Sequence, residues 1–129
     1  MYMSISETLK AAFPEALGDP CVTAAFIESN TDLMGIKEQF DLLALVPTYM
    51  HWCTTSNDRA SLVFDGTLHA LAEYGRCKSP EIRHLNFRHQ CSPAQKAAVL
   101  DFLEWCKSEE IMLNEQQLSR ALRNWAQDD

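Results

Sequence analysis

The sequence predicts an all-α protein, an irregular bundle of five to seven helices with one long ordered loop. Apolar residues recur at spacings of three and four along most of the chain, and Ser, Asp or Asn repeatedly stands just before such a run, where a helix N-cap belongs. No segment alternates strictly between apolar and polar residues, and no internal repeat or linker interrupts the chain. With 129 residues, 47% of them hydrophobic and 22% charged, the chain reads as one helical domain over 1–129. A domain of that size buries about two-thirds of the surface its unfolded chain exposes and needs no staple to fold.

The first helix opens at Ser4 or Ser6 and presents Ile5, Leu9, Ala12 and Phe13 on one face, with Pro14 helping to end it. In Gly18-Asp19-Pro20, Asp19 is placed as N-cap and Pro20 at the first helical position of a second helix. That helix runs through Val22, Ala25, Phe26 and Ile27 to the break at Ser29-Asn30. From Thr31 to Leu45, Leu33, Ile36, Phe40, Leu43 and Ala44 repeat at three or four, which predicts a third helix. Pro47 restricts the residue before it, so the chain is expected to change direction at Val46-Pro47.

The polar run Thr54 to Asp58 is a break followed by the cap of the next helix, whose apolar face is Leu62, Val63, Leu68, Leu71 and Ala72. Gly75 stands where a left-handed C-terminal cap is expected. Arg76 to Cys91 holds only the isolated apolar residues Ile82, Leu85 and Phe87, and reads as the long loop. Loops of this length in compact domains are often functional. Ser92-Pro93-Ala94-Gln95 restarts the helix, with Ser92 as cap, Pro93 at the first position and Gln95 completing a capping box. Its buried stripe is Ala98, Val99, Phe102, Leu103 and Cys106, and Asp101, Glu104 and Lys107 lie outside. Asn114 caps a final helix through Leu118, Ala121, Leu122 and Trp125, with Arg120 and Arg123 on a basic face.

Eighteen acidic against eleven basic residues give a formal charge of -7, which repels a phosphate backbone and argues against nucleic acid as a partner. The balance is uneven: Arg76, Lys78, Arg83 and Arg88 against Glu81 make the loop +3, so the rest of the chain carries -10. Five widely spaced cysteines (Cys21, Cys53, Cys77, Cys91, Cys106) with no C-x-x-C pair read as reduced thiols. The segment Met1 to Glu7 has neither a basic nor an apolar signal region, and no window approaches the length of a membrane span. A cytoplasmic location, with no membrane partner, is therefore expected.

The loop concentrates the residues that carry chemistry. Cys77, His84, His89 and Cys91 are four soft-metal ligand types within fifteen residues, the set that tetrahedral zinc takes. Their spacing, C-x6-H-x4-H-x-C, lacks the short knuckle of structural zinc sites, and the alternative is that both cysteines pack where the loop joins its helices. Read for charge, Arg76, Arg83 and Arg88 offer donors for an anion, or else pair with the surplus carboxylates around them. Cys53 or Cys91 with His51 or His89 supplies nucleophile and base types, but no hydrolase, zinc-protease or phosphate-loop motif is present, so catalysis is not the expected class. Tyr49, Trp52, Phe64, Trp105 and Trp125 suit a core, a partner-binding patch or a homodimer face.

Three stretches carry a resemblance: Leu45-Val46-Pro47-Thr48-Tyr49-Met50, Leu68-His69-Ala70-Leu71, and Cys91-Ser92-Pro93-Ala94-Gln95-Lys96-Ala97-Ala98-Val99-Leu100-Asp101-Phe102-Leu103-Glu104. Over about residues 13–110 the chain resembles a bacterial family of uncharacterised small helical domains. In that family a Leu-Pro-x-Tyr-Met element precedes a Leu-Thr-x-x-Gln-x-x-Ala-Val-x-x-Phe-Leu helix. Here Val46 replaces the Leu before the proline, and Cys91-Ser92 stands in place of Leu-Thr. The resemblance implies a helical fold and a bacterial source, and brings no catalytic residue with it.

The expected function is that of an acidic protein that binds another, basic protein and blocks it by occupying its surface, as an immunity-type inhibitor or similar antagonist does. Asp101, Glu104, Glu109, Glu110 and Trp52 are its candidate contact residues. The alternative is a metal- or anion-binding enzyme or sensor organised on the 76–91 loop; no cofactor is otherwise expected, with zinc the one possibility.

Overall fold

The computed structural model describes residues 3–14, 16, 22–36, 41–56, 61–109 and 115–127, and among these the protein is all-α, with no strand. In chain order the helices are α1 (Ile5–Ala12), α2 (Ala24–Ser29), α3 (Leu42–Thr55), α4 (Leu62–Arg76), α5 (Phe87–Gln90), α6 (Pro93–Ser108) and α7 (Glu115–Trp125), with a 3-10 turn at Leu33–Gly35 between α2 and α3. α4 is central and packs along α7 and under the 3-10 turn, while α6 lies on α1 and α7. No described helix is long and apolar enough to cross a membrane.

Caps are where local sequence and structure agree best. Ser4 accepts from the Glu7 amide at 3.2 Å and the Glu7 carboxylate accepts from the Ser4 amide at 3.1 Å, a closed capping box on α1. Ser92 and Gln95 do the same for α6, at 3.2 and 2.8 Å. The stripe Ala98, Val99, Phe102, Leu103 and Cys106 is buried as its spacing predicts, and in α7 Leu118, Ala121 and Trp125 are buried. Asn114, the predicted cap of α7, lies outside the described residues.

Five local expectations are corrected. Asp19-Pro20 lies outside the described residues, and α2 starts only at Ala24, where Thr23 accepts from the Phe26 amide at 3.1 Å. There is no continuous helix over Thr31–Leu45. The backbone of Thr31 and Asp32 is pressed against Gly66 of α4, so the chain makes one 3-10 turn there, and a new helix begins when Asp41 accepts from the Leu43 amide at 3.1 Å. Nor does the chain turn at Val46-Pro47: α3 passes through it. Pro47 leaves one carbonyl, that of Leu43, without its amide, a cost that burial of Leu45, Val46, Pro47, Tyr49 and Met50 around it outweighs.

The cap of α4 follows the polar run 54–58, as expected: it is Ser61, which accepts from the Val63 amide at 3.2 Å, and 57 and 58 lie outside the described residues. Gly75 is no left-handed cap. It is buried inside α4, where a Cβ would come within 2.8 Å of Asn124 Cβ and Trp125 Cδ1, so glycine is required there by the approach of α7. The helix ends on Cys77 in extended geometry. Finally, the loop is partly helical: after turns at 80–85 it forms α5, nucleated by Phe87, which is fully buried against Phe13, Tyr74 and Trp125 with ring centroids 5.7–6.2 Å apart.

Candidate functional site

The segment from Cys77 to Gln90 is tied down mostly by its own polar groups. The Cys77 thiol donates to the Ser79 carbonyl at 3.2 Å, Ser79 bonds Glu81, and Asn86 Nδ2 donates to the Pro80 carbonyl at 2.8 Å. Gln90 Nε2 donates to Asn86 Oδ1 at 2.5 Å, and Nε2 of His89 lies 3.0 Å from the Cys77 carbonyl, which makes that nitrogen the protonated one. Lys78 and Arg88 fasten the segment to the end of α7 through Gln127, at 2.6 Å each.

This ordering places one side of the segment over a cleft of about 640 Å³. Arg83, His84, Asn86 and Gln90 make the polar wall; Met34, Ile36, Leu42 and Leu45 make the apolar wall; Tyr74 and Asp41 complete the lining. Burial, with the carboxylate of Asp32 as a lesser cause, raises the Tyr74 phenol well above its ordinary range and keeps it neutral. Arg83 and His84 are exposed, and neither forms a hydrogen bond or ion pair with any described residue. The volume falls within the 300–1,000 Å³ typical of small-molecule sites.

The three candidate anion-binding arginines have different neighbours. Arg76 pairs with Glu73 at 3.3 Å on the α4 surface. Arg88 is buried, with its guanidinium on the Gln127 carbonyl and 5.9 Å from the Trp125 ring centre. Only Arg83 lines the cleft. Of the metal-ligand types, His84 faces the cleft, His89 is bound to the Cys77 backbone, and Cys91 is buried, its thiol pushed up to about 12 chiefly by burial. Among the described residues no three His, Cys, Asp or Glu side chains converge as a metal would need. Cys53 is likewise buried, and burial, followed by Lys10, lowers the His51 imidazole, whose Nε2 has no hydrogen-bond partner among the described residues.

A second surface is the outer side of α6. Asp101 and Glu104, one turn apart, are exposed and unpaired with any described residue, and exposed Glu109 closes the helix as its C-cap. Glu110 lies outside the described residues. Trp52 is half-buried instead, its indole donating to Glu28 at 3.3 Å and packed edge-on to Phe64. Tyr49, Phe64 and Trp125 are core residues, with the Tyr49 hydroxyl on the Asn30 carbonyl at 2.6 Å and the Trp125 indole on the Leu71 carbonyl at 2.7 Å. The predicted basic face of α7 is partly spent on α4: Arg120 bonds Glu73 at 3.1 Å and Gln117 at 2.9 Å, and Gln117 reaches His69 at 2.7 Å.

Sequence reasoning found Arg83 and His84 but missed the other wall. Met34, Ile36, Leu42 and Leu45 look like ordinary helix-face residues, and nothing in their spacing shows that they meet the 83–90 segment. Compared with known proteins, the chain matches no family model, no curated protein and no solved structure.

Proposed function

We propose that the protein acts in the cytoplasm by occupying the surface of a basic partner protein, as an immunity-type inhibitor or comparable antagonist, and that the outer face of α6 is its contact surface. The observation that carries this is a contrast among carboxylates. Glu73 is neutralised within the fold by Arg76 and Arg120, whereas Asp101 and Glu104 stand exposed and unpaired among the described residues on a well-capped helix. A rigid acidic face on a chain of net charge -7 steers encounter with a basic target and loses that advantage as salt rises. The resemblance over residues 13–110 adds a bacterial source to this reading.

The test is retention of proteins from an untagged lysate at low and moderate salt, identified by mass spectrometry and repeated with Asp101→Lys/Glu104→Lys. The expected result is one stoichiometric basic partner, released by salt, whose association rate with the double variant is lower by about tenfold or more. Retention that is indifferent to both salt and charge reversal, or no partner at all, overturns the proposal.

A further inference from the structure

The cleft between the 83–90 segment and the start of α3 lies apart from α6, since none of its lining residues belongs to that helix. We infer that it is a binding site for a small organic anion with an apolar body: one carboxylate, sulfonate or phosphate group held at Arg83 and His84, and an aliphatic or aromatic portion laid against Ile36, Leu42 and Leu45.

The division of the walls carries the inference. Asn86 has both ends of its amide occupied within the segment, by the Pro80 carbonyl and by Gln90 Nε2, so it shapes the wall and is not the group left open. Arg83, a guanidinium cation, and His84, a ring N–H donor, do stand open in the cleft, in a chain whose charge is otherwise strongly negative. An Arg guanidinium with nothing else to bind takes an oxyanion in its planar fork. Facing it, the apolar side chains of the 3-10 turn and the first turns of α3 offer surface that a purely inorganic ion leaves wet. Asp41 fixes the polarity: its carboxylate caps α3 and repels an anion from that end, so the charged group of the ligand sits at Arg83. At about 640 Å³ the cleft admits a molecule of one or two rings or a short acyl chain.

The probe is 8-anilinonaphthalene-1-sulfonate, titrated into the intact protein by fluorescence and followed by backbone amide shifts. Saturable one-to-one binding is expected, with shifts confined to residues 33–36, 41–45, 74 and 83–90. Arg83→Gln, at an exposed position, is expected to weaken it by about tenfold with an unchanged melting temperature. Leu42→Glu, which puts a carboxylate on the apolar wall at a helix position that favours acids, is expected to abolish it. The neutral analogue N-phenyl-1-naphthylamine is expected to bind at least about tenfold more weakly than the sulfonate. Equal affinity for the neutral analogue, unchanged binding by Arg83→Gln, shifts centred elsewhere, or no saturable binding overturns the assignment. Asp101→Lys/Glu104→Lys is expected to leave the titration unchanged, which separates failure of this site from failure of the α6 surface.

Discussion

Gly66 shows how one missing side chain sets the path of the chain around it. A Cβ there would stand 2.1 Å from the Thr31 carbonyl oxygen and 3.3 Å from Asp32 Cα, both backbone atoms that cannot rotate away. Alanine gains about 1 kcal/mol over glycine in helix propensity, but overpacking against fixed atoms costs about 3 kcal/mol or more, so the clash wins. Gly66→Ala is expected to lower the melting temperature by roughly 10 °C. Gly35→Ala, where the nearest atom is a carboxylate oxygen of exposed Asp32 at 3.0 Å, is expected to change it little. Calorimetry on the two variants checks the contrast. Gly75 makes the same point: its position just before the helix end suggests a cap, while its neighbours, Asn124 and Trp125, show a contact between helices.

At the scale of elements, the start of α6 joins a local motif to a distant one. Gln95 Oε1 accepts from the Ser92 amide, as any capping box requires, and its Nε2 donates to the Ala12 carbonyl at the end of α1, at 3.1 Å. Ser92→Ala removes only the cap and is expected to cost about 1 kcal/mol. In an isolated capping box Glu serves as well as Gln, so Gln95→Glu would be neutral there. Here it sets a carboxylate against the Ala12 carbonyl and is expected to cost about 1–2 kcal/mol. Urea unfolding of the two variants at pH 7 measures both. Equal stability of Gln95→Glu and the parent protein would show that the α1 contact contributes nothing. α3 is the opposite case, because Pro47 argues locally for a turn and is overruled by the burial of its neighbours.

For the whole molecule, the buried acids define an alkaline limit. Cys91 is raised from 9.0 to about 12, and the Tyr49 and Tyr74 phenols are raised as well, burial being the first cause in all three. A raised folded value means that the unfolded chain gives up its proton first. Stability is therefore fully present below about pH 9 and lost as pH rises from 9 toward 12. Melting temperatures between pH 8 and 11 are expected to fall along this limb. Cys91→Ala is expected to start lower at neutral pH, from lost packing, but to fall less steeply above pH 9; an unchanged slope would remove Cys91 from the account.

Much of the architecture was legible because helices are written in short-range terms. Spacings of three and four, and a cap bonded to an amide two or three residues on, are complete within a few residues, and the α-class, the stripe of α6, a serine cap at the start of α1 and the box at Ser92 follow from them. The basic character of the 76–91 segment, and with it Arg83 and His84, was legible for the same reason. What only the tertiary structure decided is which of these surfaces meet. The tight approaches at Gly66 and Gly75, the short helix anchored by Phe87 and the opposite wall of the cleft all join residues far apart in the chain. Apolar burial brings them together, and because that force is non-directional and proportional to area, its outcome depends on how every face packs at once and leaves no local pattern to read.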